Sequence, residues 1–342
     1  MPIVAAPYGY SAEDVYVDLR HVFGRSLFLK CEGFNFAGSI KLKVAAEMVQ
    51  AAEADGVLRP GCTLVESSSG NLGVALSMIA ASKGYGFICV TDSRCNLAAR
   101  RMMESLGSQV QVITEPDAEG DLLGARLHRV HELCERDDRL VWLNQYANPG
   151  NWQAHYRITG PAIATAFPDL DVLFIGTGTA GTLMGCARYF RQRMRRPVTV
   201  VAVDAVGSVT FDTPSARRMI PGMGTTVRPQ LLDESYVDDV LQVSEPDTIR
   251  ACHAMASRGF LFGGSTGSVV SGALRWLADQ GQGDRLTSVA IAPDLGERYL
   301  DSVFRPEWVR EHFGDVHHEP DGCGPFLAWP RPVGRDQVES RR

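Results

Sequence analysis

Five short stretches of this 342-residue chain combine residue types that hold anions or move protons. The run Val172-Leu173-Phe174-Ile175 leads into Gly176-Thr177-Gly178-Thr179-Ala180-Gly181-Thr182. A glycine-rich turn between a strand and a helix is either a plain tight turn or a candidate phosphate cradle, whose N–H groups point at the anion and whose missing side chains let it approach; three glycines and three threonines exceed what a turn needs. The same glycines fit Gly-x-Gly-x-x-Gly, with Asp204 lying 23 residues after Gly181. That is the spacing of a dinucleotide fingerprint with an acid for the ribose, so a nicotinamide oxidoreductase stands as one reading. Ser39-Ile40-Lys41 opens a helical pattern with Val44, Met48 and Ala52 on one face. Ser39 as N-cap puts Lys41 in the first turn, where the helix dipole disfavours an ammonium and favours a neutral amine. Lys43 competes for the same role.

Glu66-Ser67-Ser68-Ser69-Gly70-Asn71-Leu72-Gly73 again joins a strand to a helix. Its hydroxyls, amide and free N–H groups suit a carboxylate, or simply cap the helix. Gly263-Gly264-Ser265-Thr266-Gly267-Ser268 and Pro293-Asp294-Leu295-Gly296-Glu297-Arg298-Tyr299, each taken alone, read as turns. His128 and His131 form a His-x-x-His pair with no convincing further ligand nearby, so they read as an exposed helix face and no metal is expected.

The elements that must carry these stretches alternate strand and helix. Thr63–Val65, Phe87–Val90, Val110–Ile113, Val172–Ile175, Val198–Val203 and Val289–Ala292 are strand-like runs, most of them rich in Val and Ile and without alternation, as strands covered on both faces are. Helical patterns follow several of them, including about Asn96–Leu106 and Asp121–Glu135. The class is α/β with parallel sheets. A boundary is expected at Asn148-Pro149-Gly150-Asn151, and the proline- and glycine-rich segment 319–342 reads as a loose tail.

Composition narrows the function. At 45% hydrophobic and 22% charged residues the chain can bury a sizeable core. A net charge of −6 argues against nucleic-acid binding through a basic face. No run is long enough to cross a membrane as a helix, and the start has no secretory pattern. The eight cysteines, Cys31, Cys62, Cys89, Cys95, Cys134, Cys186, Cys252 and Cys323, include no Cys-x-x-Cys pair and read as reduced thiols of a cytoplasmic protein.

In their order, the stretches resemble the cysteine synthase and cystathionine β-synthase family, the fold type II pyridoxal phosphate enzymes, over residues 27 to 305. The family's Ser-Val-Lys motif falls on Ser39-Ile40-Lys41. Its Thr-Ser-Gly-Asn loop falls on Ser68-Ser69-Gly70-Asn71, and its Gly-Thr-Gly-Gly-Thr cup on Gly178-Thr179-Ala180-Gly181-Thr182. Its pyridine-nitrogen serine falls on Ser265. Three departures stand out: Leu42-Lys43 replace the usual Asp-Arg after the lysine, Ala180 replaces a glycine, and the Gly-x-Thr-Pro near the start is missing.

The resemblance implies two sheets, parallel or mixed, flanked by helices, with pyridoxal 5'-phosphate between a smaller domain (36–147) and a larger one (1–35 with 148–318). It implies Lys41 as cofactor anchor and general base. Asn71, Ser265 and the cup, Gly178 to Thr182, would hold the cofactor, and Ser68, Ser69 and Gln145 the substrate carboxylate. A likeness in Glu66–Gly73, Glu115-Pro116-Asp117, Asn144–Asn148, Val203–Val209 and Gly263–Ser268 narrows it to a branch joining O-phospho-L-serine to L-glutamate. That reaction serves 2,3-diaminopropionate biosynthesis in siderophore or antibiotic pathways. Arg126 and Tyr146 are then expected glutamate contacts, with Arg217 and Arg218 on a flap as weaker candidates. The resemblance also implies a homodimer. The same-fold alternative is a cysteine synthase using O-acetylserine or O-phosphoserine with sulfide.

Overall fold

The computed structural model describes residues 3–118, 120–281 and 285–317. The expected tail 319–342, with Cys323, lies outside the described residues. Among the described residues ten strands form two sheets. The strands are β1 (Tyr16–Asp18), β2 (Leu27–Cys31), β3 (Thr63–Ser67), β4 (Gly86–Asp92), β5 (Gln109–Ile113), β6 (Leu140–Trp142), β7 (Val172–Gly176), β8 (Thr199–Ala205), β9 (Asp239–Val243) and β10 (Ser288–Ala292). The larger sheet has the order β1-β2-β10-β7-β8-β9; every pair is parallel except β1 with β2. The smaller sheet, β5-β4-β3-β6, is parallel throughout.

The α-helices are α1 (Arg20–Phe23), α2 (Lys41–Ala54), α3 (Asn71–Lys83), α4 (Leu97–Ser105), α5 (Leu122–Arg136), α6 (Pro149–Ala154), α7 (Gly160–Ala166), α8 (Gly181–Arg193), α9 (Glu245–Ala256), α10 (Gly264–Asp279) and α11 (Pro306–Phe313). A π-helical turn, His155–Thr159, joins α6 to α7. Separate apolar clusters cover the two faces of the larger sheet: Phe174, Val201, Val203, Val270 and Leu274 on one, Leu173, Ile175, Val200, Leu183 and Met184 on the other. Burial on both faces is why these strands read as unbroken apolar runs. The strands not legible as such runs are β1, β2, β6 and β9. They are short or lie at or next to a sheet edge, and β2 carries the buried Lys30.

In parallel sheets the loops at the carboxyl ends of the strands converge on a crevice. Here β3 delivers residues 67–70, β7 the cup, and β10 Pro293 to Gly296. The loop before α2 is pinned to the last of these by Ile40 N–H donating to the Pro293 carbonyl at 2.7 Å and Leu295 N–H to Gly38 at 3.3 Å. One local expectation is corrected. Ser39 is not the N-cap of α2: Ile40 occupies that position in helical geometry, and the Ser39 hydroxyl is buried without a partner. Ser39 is instead bridged to Asp294, and Lys41 is the first helical residue.

Ala180, standing where the family has glycine, is the N-cap of α8 at φ 62°, in the left-handed region. A Cβ costs about 1–2 kcal/mol there, against about 0.4–1 kcal/mol for the extra freedom glycine gives the unfolded chain. Ala180→Gly is therefore expected to raise stability by about 0.5–1 kcal/mol, read from the denaturant midpoint; a loss of stability would show that Ala180 is unstrained.

Candidate active site

The crevice between the two sheets is a cavity of about 200 Å³. The expected cofactor, carboxylate and glutamate contacts line it: Lys41 on α2; Ser68, Ser69 and Asn71 after β3; Arg126 on α5; Gln145 and Tyr146 after β6; Gly178 to Thr182 after β7; and Ser265 on α10. Arg218 lines it as well, whereas Arg217 is exposed and does not.

Lys41 faces this space from the first position of α2. Burial lowers its ammonium to about 8, and the Glu66 carboxylate only partly opposes that shift. Glu66 is itself fully buried and pushed up to about 7 by burial, although it accepts from Trp142 Nε1 (3.2 Å) and from the N–H groups of Ser67 (2.9 Å) and Gln145 (3.2 Å). Lys43 points elsewhere. It is buried, outside the cavity lining, and ion-paired to Glu13 (2.8 Å) and Glu32 (2.7 Å).

Both walls are tied down by polar side chains. The Ser68 hydroxyl accepts from Gly73 N–H at 2.9 Å, so it caps α3 as well as facing the cavity. Gln145 donates its side-chain N–H to the Ser67 carbonyl at 2.9 Å. Asn71 donates to Asp294 at 3.0 Å and accepts from Arg298. Tyr299 donates to Asp294 at 2.6 Å and is hydrogen-bonded to Ser265. Asp294, fully buried, is raised above the usual carboxylate range by burial. The segment Pro293 to Tyr299, taken alone as a turn, thus ties Asn71 to Ser265 through Asp294 and Tyr299. The signal for it was the run of Asp, Arg and Tyr directly after a buried strand.

Arg126 is buried rather than solvated, with Nε 3.2 Å from Asp92. Arg94, missed in the sequence, shares Asp92 in a two-pronged contact and lines the cavity. Arg218 donates to the Gly207 carbonyl, and among the described residues no carboxylate lies within 4.0 Å of it. Tyr146 is pushed up to about 12 by burial. Asp204 is away from the cavity: fully buried, it accepts from Ala205 N–H at 2.9 Å. It has no position for a ribose, which removes the acid from the dinucleotide reading. His128 pairs with Glu132, and His131 packs edge-on against Trp142. The seven described cysteines are free thiols.

The residues fit pyridoxal phosphate. The cup ends at the N-terminus of a 13-residue helix with no side-chain cap, so its first N–H groups face the cavity unclaimed by a capping side chain. An amine of lowered pKa stands across from it, and the buried Ser67 hydroxyl on the lining has no partner.

Residues 16–294 match the sequence model of the pyridoxal-phosphate dependent enzyme family. The chain belongs to this family. It is 39% identical over 285 residues to an N-(2-amino-2-carboxyethyl)-L-glutamate synthase of Ralstonia nicotianae, spanning 83% of each chain. A synthase of the same name from Cupriavidus metallidurans is 37% identical over 299 residues, 86% of this chain and 87% of the relative. Among solved structures, O-ureido-L-serine synthase superposes with a TM-score of 0.81 at 29% identity, covering 89% of this chain and 96% of that one. A hydrogen sulfide-producing enzyme from Fusobacterium nucleatum superposes equally well, at 26% identity. The fold is therefore that of the type II pyridoxal phosphate enzymes, and the cofactor is pyridoxal 5'-phosphate.

Borohydride reduction of the holoenzyme is expected to leave the cofactor's mass on the peptide containing Lys41 and to leave no such adduct in Lys41→Ala. Finding the adduct on Lys43 would shift the motif by two residues. Glu66 gives a pH signature in cofactor-free protein. Its folded value, about 7, lies above its ordinary 4.5, so between these the folded chain holds a proton that the unfolded chain lacks. Stability from this group is full below pH 4.5 and falls through the window up to 7, by at most about 1.4 kcal/mol per pH unit. Glu66→Gln should flatten that slope in denaturant titrations; an unchanged slope would place the proton elsewhere.

Proposed function

We propose that this enzyme joins O-phospho-L-serine and L-glutamate to give N-(2-amino-2-carboxyethyl)-L-glutamate and phosphate, in the service of 2,3-diaminopropionate synthesis. One observation carries the reading. The described cavity lining holds Lys41, Arg94, Arg126, Arg218 and Arg298 and no Asp or Glu. Such a site is built for substrates with several negative charges, as both of these are. The name of the two relatives, N-(2-amino-2-carboxyethyl)-L-glutamate synthase, supports the same product. Sulfide needs no such pocket, so the cysteine synthase alternative leaves without a task the arginines that the first substrate does not engage.

Bound pyridoxal phosphate supplies the sink for charge developing at the substrate's Cα. The chain's residues do the rest. Lys41, with its lowered pKa, is the base that takes the Cα proton. The C–O bond at Cβ breaks and phosphate leaves with the electron pair. Ser68 and Ser69 orient the substrate carboxylate. Arg126 and Tyr146 hold glutamate so that its amine reaches Cβ, where the new C–N bond forms and a proton is lost. Asn71 and Ser265 would hold the cofactor ring, and a serine at the ring nitrogen would leave it largely uncharged, which suits replacement at Cβ.

The reading divides the chain into residues 36–147 and residues 1–35 with 148–318, with the site between them. It also carries a homodimer, supported by the exposed rings of Phe34 and Phe36, and a reducing compartment, supported by the free thiols. Among the described residues no helix is long and apolar enough to cross a membrane.

Arg126→Ala tests the assignment of the second substrate. Losing one charged contact costs about 2–3 kcal/mol, or roughly 30- to 150-fold in kcat/KM for glutamate. Phosphate release from O-phosphoserine alone, one equivalent per site in a rapid-quench burst, should be unchanged. Equal losses in both measurements would assign Arg126 to the first substrate or the fold. Turnover of the unaltered enzyme with sulfide but not glutamate would replace the reading with that of a cysteine synthase.

A further inference from the structure

Behind the cup lies a polar cluster that the chemistry above does not use. Lys43 sits where the family has the arginine of its Asp-Arg pair. Its ammonium is buried among Glu13, Glu32 and Lys30, with Lys30 Nζ 3.3 Å from Glu32. Lys43 Nζ also reaches Thr159 Oγ1 at 3.3 Å. Thr159 Oγ1 lies 3.0 Å from His155 Nδ1, and His155 Nε2 lies 3.2 Å from Thr182 Oγ1, the last residue of the cup. His155 and Thr159 are fully buried.

The local fold makes this alignment. Asn151, His155 and Thr159 recur every four residues through α6 and the π-turn, a spacing that puts side chains on one face. That face lies against α8 because Gly181 and Gly185 leave room. A Cβ on Gly181 would lie 2.0 Å from Asn151 Oδ1, and one on Gly185 would lie 2.3 Å from the Trp152 carbonyl. Asn151 then donates to Thr179 at 2.9 Å, and His155 meets Thr182 one turn further along.

We propose that Lys43, through Thr159 and His155, is a positioning residue that orients the Thr182 hydroxyl to donate its proton to the cofactor's phosphate. An ammonium has only donors, so Thr159 Oγ1 must accept from Lys43. The single hydroxyl proton of Thr159 is then directed at His155 Nδ1, its other partner. With Nδ1 accepting, a neutral imidazole carries its proton on Nε2 and donates to Thr182 Oγ1. The Thr182 proton is left to point into the cavity it lines, among the N–H groups of the helix start. Burial, then the charges of Lys43, Lys41 and Lys30, hold His155 well below its ordinary pKa, so the ring is neutral as the chain requires. In the opposite tautomer Nε2 would take the Thr182 proton, and the hydroxyl would turn a lone pair toward an anion.

The test uses holoenzyme carrying ¹⁵N-labelled histidine, with the His155 signals identified by their loss in His155→Gln. The wild type is expected to show a protonated Nε2 and an unprotonated Nδ1. Thr159→Val keeps the shape and the ion pairs of Lys43 but cuts the chain. It should admit the Nδ1–H tautomer, shift the ³¹P resonance of bound cofactor, and weaken pyridoxal phosphate retention about tenfold. Binding of pyridoxal, which lacks the phosphate, should not change. His155→Gln, whose amide still offers a donor to Thr182, should lose less than His155→Leu. An Nδ1–H tautomer in the wild type overturns the proposal whether or not Thr159→Val folds. So does an equal loss of pyridoxal and pyridoxal phosphate in Thr159→Val, which would mark a packing role only.

Discussion

An amine serves as anchor and base near neutral pH only if it holds its proton weakly, and the architecture around Lys41 is arranged to meet that condition. Burial supplies the shift to about 8, and the start of a helix is a poor place for an ammonium. Burying an amine requires that the loop before it be fixed, which the backbone hydrogen bonds from Ile40 to Pro293 and from Leu295 to Gly38 accomplish. Those bonds join the start of α2 to the end of β10. Lys41 is thus held by the larger sheet's central strands, while its helix packs among the smaller sheet's helices.

The same economy governs the anion sites. Carboxylates and phosphates are held by N–H groups and hydroxyls at strand-to-helix turns, and each such hydroxyl needs a second partner to fix its direction. Ser68 has the N–H of Gly73, Thr179 has Asn151, and Thr182 has His155. Two of these three supports come from one short helical segment, residues 149–159, set against α8 through glycines. A fixed hydroxyl loses less entropy on binding than a free rotor, which is the physical content of preorganisation.

Much of this was legible in the sequence. Strand-like runs marked six strands, most of them covered by apolar residues, with the edge strand β5 only partly buried, and the glycine- and serine-rich turns marked the site because anion binding demands those residue types. Edge strands such as β1 and β6 were not legible, because three residues carry too little pattern. Nor were Asn151, His155 and Thr159, whose polar spacing on a helix looks like an ordinary solvated face until the α8 glycines bring it inside. Lys43 illustrates the limit most clearly: its type and neighbours resemble those of Lys41. What separates them is the pairing of Lys43 with the half-buried Glu13 and the buried Glu32, whose charges raise its ammonium despite its burial.

Charge distribution ties these features to substrate choice. The chain is acidic overall, at −6, yet its cavity is lined by cations without a carboxylate among the described residues. Lining cations of one sign repel one another, so the arrangement is tolerable only with counter-charges just outside the wall. Asp92 fills that role behind Arg94 and Arg126, and Asp294 beside Arg298. Burial lowers the pKa of Arg218; the charge of Asp204 opposes that, the nearby Arg94 adds to it, and Glu245 and Asp121 oppose it again. Positive charge is still gathered where Arg218 and Arg94 line the cavity, on loops from the two different sheets. A dianion entering there relieves a repulsion that the free protein must bear. Neutral amino acids gain nothing from that relief, so the same electrostatics that burdens the free protein discriminates among its substrates.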